Sequence, residues 1–114
     1  MLIGFEAATL AVIASLHLSG VLGGKKPFRP TDAGIAEAII GLVLVYGVAA
    51  LLRRFRHARS IAVATIVFAI VGFVVGLTFT LRGGDAIDVA YHATVLPLLL
   101  LTLIVLVRSE PGRP

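Results

Sequence analysis

The sequence predicts an all-α integral membrane protein, an antiparallel four-transmembrane-helix bundle. Three observations carry that prediction. Hydrophobic residues make up 59% of the 114 before the 12 glycines are counted, already above the about 45–50% that a soluble domain reaches with glycine included. Charged residues are only 14%, against about 25% in a soluble domain, so a water-soluble globule of this size has too little polar surface to cover itself. The mean hydropathy of +1.07 agrees. Finally, the apolar residues fall into four runs of about 20, each long enough as a helix to cross a hydrocarbon core of roughly 30 Å.

The runs are residues 2–22, 33–52, 60–81 and 86–107. In hydrocarbon a backbone must satisfy its own hydrogen bonds, so each run reads as a helix; none alternates as a barrel strand would. Between the first two lies Gly23-Gly24-Lys25-Lys26-Pro27-Phe28-Arg29-Pro30-Thr31-Asp32, with two X-Pro steps that disfavour helix. Arg53-Arg54-Phe55-Arg56-His57-Ala58-Arg59 is a basic turn in which His57 sits among head groups, and Arg82-Gly83-Gly84-Asp85 is a tight hairpin. The tail from Ser109 to Pro114 is polar. Such short links make consecutive helices antiparallel neighbours, and residues 1–114 form one membrane domain. The first run lacks a basic leading segment and an A-x-A site, and so does not read as a cleaved signal peptide.

Charge placement narrows the partners. The net charge is +4 and the pI about 10.4, but the basic residues sit between apolar runs, where they set topology and meet anionic lipid; no folded basic face is left for nucleic acid. With an even number of spans, Arg53, Arg54, Arg56, Arg59, Arg108 and Arg113 share a side with both termini, and Lys25, Lys26, Arg29 and Arg82 take the other. That bias predicts a multi-pass protein of the cell (inner) membrane with both termini cytoplasmic, and is small enough to allow dual insertion. There is no cysteine, so disulfides, thiolate metal sites and thiol chemistry are out.

Small residues mark packing faces. Ala7, Ala11, Ser15, Ser19 and Gly23 recur every four positions, and Gly72 and Gly76 form a GxxxG. Such residues let helix backbones approach closely, within the bundle or across a homodimer or larger complex.

Ionisable groups inside spans are costly and point to function. The candidates are Glu6, His17, Glu37, Asp88 and His92, with the Tyr91 hydroxyl. At 1.5 Å per residue His17 lies about 7 Å below the outer boundary, Glu37 about 6 Å, Asp88 about 3 Å and His92 about 9 Å. Two histidines and two carboxylates from three helices thus share one outer-leaflet layer, with Tyr91 beside them and Glu6 alone at the inner end. Ordinary explanations exist for each. Asp85 and Asp32 look like N-caps with Asp88 and Glu37 in the following turns, Glu6 lies in a first turn, and Ser15, Ser19 or Tyr91 can serve His17. Asp88 and His92 are four apart and meet on one face, and Pro97 predicts a kink just below them.

Three functions follow as expectations. The leading one is a small non-enzymatic accessory or assembly bundle whose polar layer is interhelical glue. The second is a proton-coupled small transporter working as a dimer; in size and span number the chain resembles small multidrug transporters. Those carry an essential glutamate among aromatic residues, including tryptophan, in the first helix. Glu6 lies at a helix end and the chain has no tryptophan, so that site does not carry over. The third is a cofactor protein in which His17 and His92 ligate a haem b, or His17, Glu37, Asp88 and His92 hold a divalent metal. GxSxG, P-loop, GxGxxG, CxxCH and HExxH motifs are absent, and Ser15 and His17 point about 200° apart on a helix, too far to act as nucleophile and base.

Overall fold

A computed structural model describes residues 2–20 and 30–108. The expectations placed on Gly23, Lys25, Lys26, Arg29, Arg113 and the tail lie outside the described residues. Four helices make up the fold: α1 (Leu2–Leu18), α2 (Pro30–Leu52), α3 (Ala58–Thr80) and α4 (Ala86–Arg108). They form an elongated bundle of 48 × 21 × 17 Å. Each helix packs on its neighbours in sequence, and α1 meets α4 more sparsely to close the ring.

The helix limits follow from local chemistry. α1 stops at Leu18, short of the expected Leu22. Ser19 and Gly20 turn away, with Gly20 at φ +82° donating its N–H to the His17 carbonyl at 3.2 Å; glycine takes that left-handed conformation without a Cβ penalty. α2 begins at Pro30 rather than Ala33, proline being well suited to a first helical position. Asp32 therefore lies in the first turn instead of capping the helix. The turn to α3 places Arg54 at φ +52° and is shorter than the expected basic stretch, because α3 already starts at Ala58. Arg59 consequently sits in α3, where its Nε donates to the Leu106 carbonyl at 2.8 Å and its Nη2 to that of Val107, capping the last turn of α4. Asp85 immediately precedes α4, and its carbonyl accepts the first N–H, from Val89, at 3.0 Å. α4 runs through Pro97 as one helix.

The bundle is inside-out relative to a soluble one. Facing inward are Leu10, Leu44, Ile66, Phe73 and Leu99 together with Glu6, His17, Glu37, Asp88 and His92, all buried. Facing outward are Phe5, Val12, Leu42, Val71, Ile87 and Val105, all exposed. α2, α3 and α4 are each long and apolar enough to cross a membrane, with mean hydropathies of 2.4, 2.6 and 2.2 over their best windows, and α1 is a shorter apolar helix. An apolar exterior around a core that holds the ionisable groups among apolar side chains suits lipid as solvent.

Candidate functional site

The inward face of α1 runs Ile3, Glu6, Ala7, Leu10, Ile13, Ala14 and His17, the three-and-four spacing of one helical stripe. That stripe carries His17 into the bundle at the end of α1. Gly34 on α2 lets it approach: a Cβ there would lie 2.8 Å from Leu18 Cγ and 3.1 Å from His17 Cβ. One turn further, Glu37 faces the same interior. Asp88 and His92, four apart on α4, complete the group from the other side.

His17 is the centre. Its Nδ1 lies 2.5 Å from Glu37 Oε1 and its Nε2 3.2 Å from Asp88 Oδ2. One imidazole from α1 thus bridges a carboxylate of α2 and a carboxylate of α4. His92 secures the second carboxylate: its Nδ1 lies 2.9 Å from the Asp88 carbonyl and 3.2 Å from Oδ1. Thr80 of α3 donates a long hydrogen bond of 3.5 Å to Asp88 Oδ2. Both atoms facing His92 Nδ1 are acceptors, so Nδ1 carries a proton, and in the neutral form of the ring the lone pair is then on Nε2. Asp88 is fully buried, so a solvated N-terminal position does not account for it. Glu37 Oε1 and Asp88 Oδ1 meet only imidazole nitrogens, and Glu37 Oε2 makes no hydrogen bond among the described residues. Buried carboxylate oxygens normally make one.

One donor atom each from His17, Glu37 and Asp88 lies within 4.8 Å of the others, a spacing that can close on a single cation. His92 is outside that trio and acts behind it, as an outer group that orients a ligand. Both histidines of the expected metal or haem pair lie in this group, each turning a nitrogen to the same Asp88 carboxylate.

The remaining candidates sit elsewhere. Tyr91 borders the group: its hydroxyl is 2.9 Å from Thr9 Oγ1, and its ring packs on Phe73 and edge-on against His92, with centroids 5.9 and 6.0 Å apart. Glu6 is not alone, since the Thr102 hydroxyl is 3.2 and 3.3 Å from its two oxygens. Ser15 and Ser19 do not serve His17; they bond back to Ala11 and Leu16 carbonyls. Both serines and Ala11 lie on the exposed face, so among the described residues of that strip only Ala7 packs in the bundle. Gly72 and Gly76 do pack: a Cβ at Gly72 would lie 2.7 Å from Ile40 Cδ1, and one at Gly76 3.1 Å from His92 Nε2. Thr80 and Thr102 escaped the sequence reading, since a threonine in a span carries no signal of the acid it will face. Comparison of the chain with family models, curated proteins and solved structures finds no match to any of them.

Proposed function

We propose that the chain is a small non-enzymatic protein of the cell (inner) membrane, both termini cytoplasmic, that holds a divalent transition-metal ion between His17, Glu37 and Asp88. The observation that carries this reading is the pair of buried carboxylates facing one imidazole, with Glu37 Oε2 left without a partner among the described residues while the other three oxygens share the His17, His92 and Thr80 contacts. Polar glue would satisfy all its members; this group leaves an acceptor that a cation can fill. Two carboxyl groups can give up two protons to this buried site, and a divalent ion balances both resulting charges at once. One nitrogen and two oxygens, with no thiolate in the chain, suit zinc, manganese, iron(II) or cobalt rather than copper(I). His17 offers one nitrogen to such an ion, so one of its two present contacts opens when the ion enters.

The test is metal titration of the detergent-purified chain, made without metal-affinity resin. Cobalt(II) gives ligand-field bands that report carboxylate and imidazole donors. The expected result is one ion per chain in the native protein and none above background in His17→Ala. No metal in the native protein overturns the reading and returns the layer to interhelical glue in an accessory bundle.

A second reading rests on the unbroken succession Glu37–His17–Asp88 across three helices. Protonatable groups in such contact suit a proton-coupled transporter working as a dimer. Proteoliposomes with an imposed pH gradient test it. No proton flux, with or without divalent ions, refutes it.

A further inference from the structure

A groove of about 580 Å³ opens between α2 and α3, within the roughly 300–1,000 Å³ of small-molecule sites. Its walls are apolar: Ile39 and Ile40 on α2, and Phe68, Val71 and Val75 on α3. Ile39, Val71 and Val75 are exposed, so the groove opens sideways, where the apolar exterior faces lipid. Gly72 and Gly76 keep its depth, because a side chain at either would run into Ile40 or His92.

The floor is chemically one-sided. It contains Glu37, 5% exposed, whose Oε1 meets His17 and whose Oε2 has no hydrogen bond among the described residues. It also contains His92, whose Nδ1 proton is turned to the Asp88 carbonyl, leaving the Nε2 lone pair toward Gly76 and the groove. The Thr80 hydroxyl, also in the lining, donates to Asp88. Asp32 is the remaining polar lining residue, again an acceptor. A floor of acceptors repels carbonyl and ether heads and favours a cation rich in N–H donors.

We infer that this groove binds a primary ammonium amphiphile. Its hydrocarbon chain lies between α2 and α3, and its NH₃⁺ head donates to the Glu37 carboxylate and to His92 Nε2. A quaternary ammonium of the same charge has no N–H to donate and binds more weakly, as does a neutral alcohol. The site stands on the groove and does not need the metal; because Glu37 serves both, amine and metal compete.

The chain has no tryptophan, so an indole-tagged alkylamine is a clean fluorescent probe. The full chain in detergent is titrated with that amine and with the matching alcohol and trimethylammonium compounds. The expected result is saturable 1:1 binding of the amine, at least tenfold tighter than either analogue and at least tenfold weakened by Glu37→Gln. Ala36→Phe, from an exposed lining position outside the metal trio, removes amine binding and keeps cobalt binding. A native chain that binds cobalt but not the amine overturns this inference alone, and a native chain that binds the amine but not cobalt overturns the metal reading alone. If Ala36→Phe does not fold, Val75→Phe blocks the opposite wall. Equal binding of the alcohol means that the groove takes any bilayer chain, and overturns the inference. Unchanged affinity in Glu37→Gln, or in the groove-blocking variant, overturns it as well.

Discussion

Glu6 and Thr102 give the sharpest energetic test. Glu6 is completely buried, and the Thr102 hydroxyl is 3.2 and 3.3 Å from its two oxygens. Thr102→Val keeps the shape and removes the hydroxyl. Leaving a buried acceptor without its donor costs about 1–3 kcal/mol in soluble proteins. Hydrogen bonds between membrane helices average only about 0.6 kcal/mol and reach about 1.7, because the unfolded state in the membrane finds partners too. Full burial of Glu6 pushes toward the upper figure. The single hydroxyl proton pulls the other way, since the Leu98 carbonyl at 2.9 Å competes for it. The expected destabilisation is therefore about 1 kcal/mol, roughly a fivefold shift in the unfolding equilibrium. Reversible unfolding in mixed micelles, followed by far-ultraviolet circular dichroism, measures it. A double-mutant cycle with Glu6→Ala assigns the effect to the pair. A coupling energy near zero refutes the claim that this contact joins α1 to α4.

Three further outcomes are expected. His92→Gln lowers metal affinity by about 10–100-fold without abolishing it, as loss of an orienting outer group does; complete loss in the cobalt titration would make His92 a ligand. Gly72→Val costs about 1–3 kcal/mol by overpacking, because even a Cβ there meets Ile40 at 2.7 Å; an unchanged unfolding midpoint would show that α2 and α3 are not in contact there. Arg59→Ala uncaps the α4 carbonyls of Leu106 and Val107 and costs about 0.5–1.5 kcal/mol, read as faster amide exchange in the last turn of α4 with the rest of the bundle unchanged.

The helices were legible because a bilayer demands about 20 apolar residues per crossing, and the sequence has four such runs. Depth was legible for the same reason. A fixed rise per residue places His17, Glu37, Asp88 and His92 at one level, and the structure brings all four together. Azimuth was legible only in part: Glu6 and His17, eleven apart, share the face of α1 that turns inward, as do Asp88 and His92 on α4, but the apolar and small residues give no such sign. The small residues at 11, 15 and 19 suggest one stripe, while the buried stripe runs through 3, 6, 7, 10, 13, 14 and 17. The end of α1 was hidden for another reason: the turn depends on the left-handed backbone of Gly20, and hydropathy carries no trace of it. Long-range pairings such as Thr9 with Tyr91 and Glu6 with Thr102, 82 and 96 residues apart, depend on register between helices, which a single chain of letters does not encode.

The 17 residues of α1 reach about 25 Å, roughly 5 Å less than an ordinary hydrocarbon core. The three other helices, at 23 residues each, reach about 34 Å. A bilayer that matches the longer helices is expected to thin on the flank of α1. His17 is the next-to-last residue of that helix. Such thinning would bring head groups closer to the two carboxylates. A site deep by its neighbours' measure is shallow by that of α1. Membrane thickness then becomes a control on access: short-chain lipids flatten the step, and long-chain lipids deepen it. The on-rate for ions, measured across a series of acyl lengths, follows that mismatch.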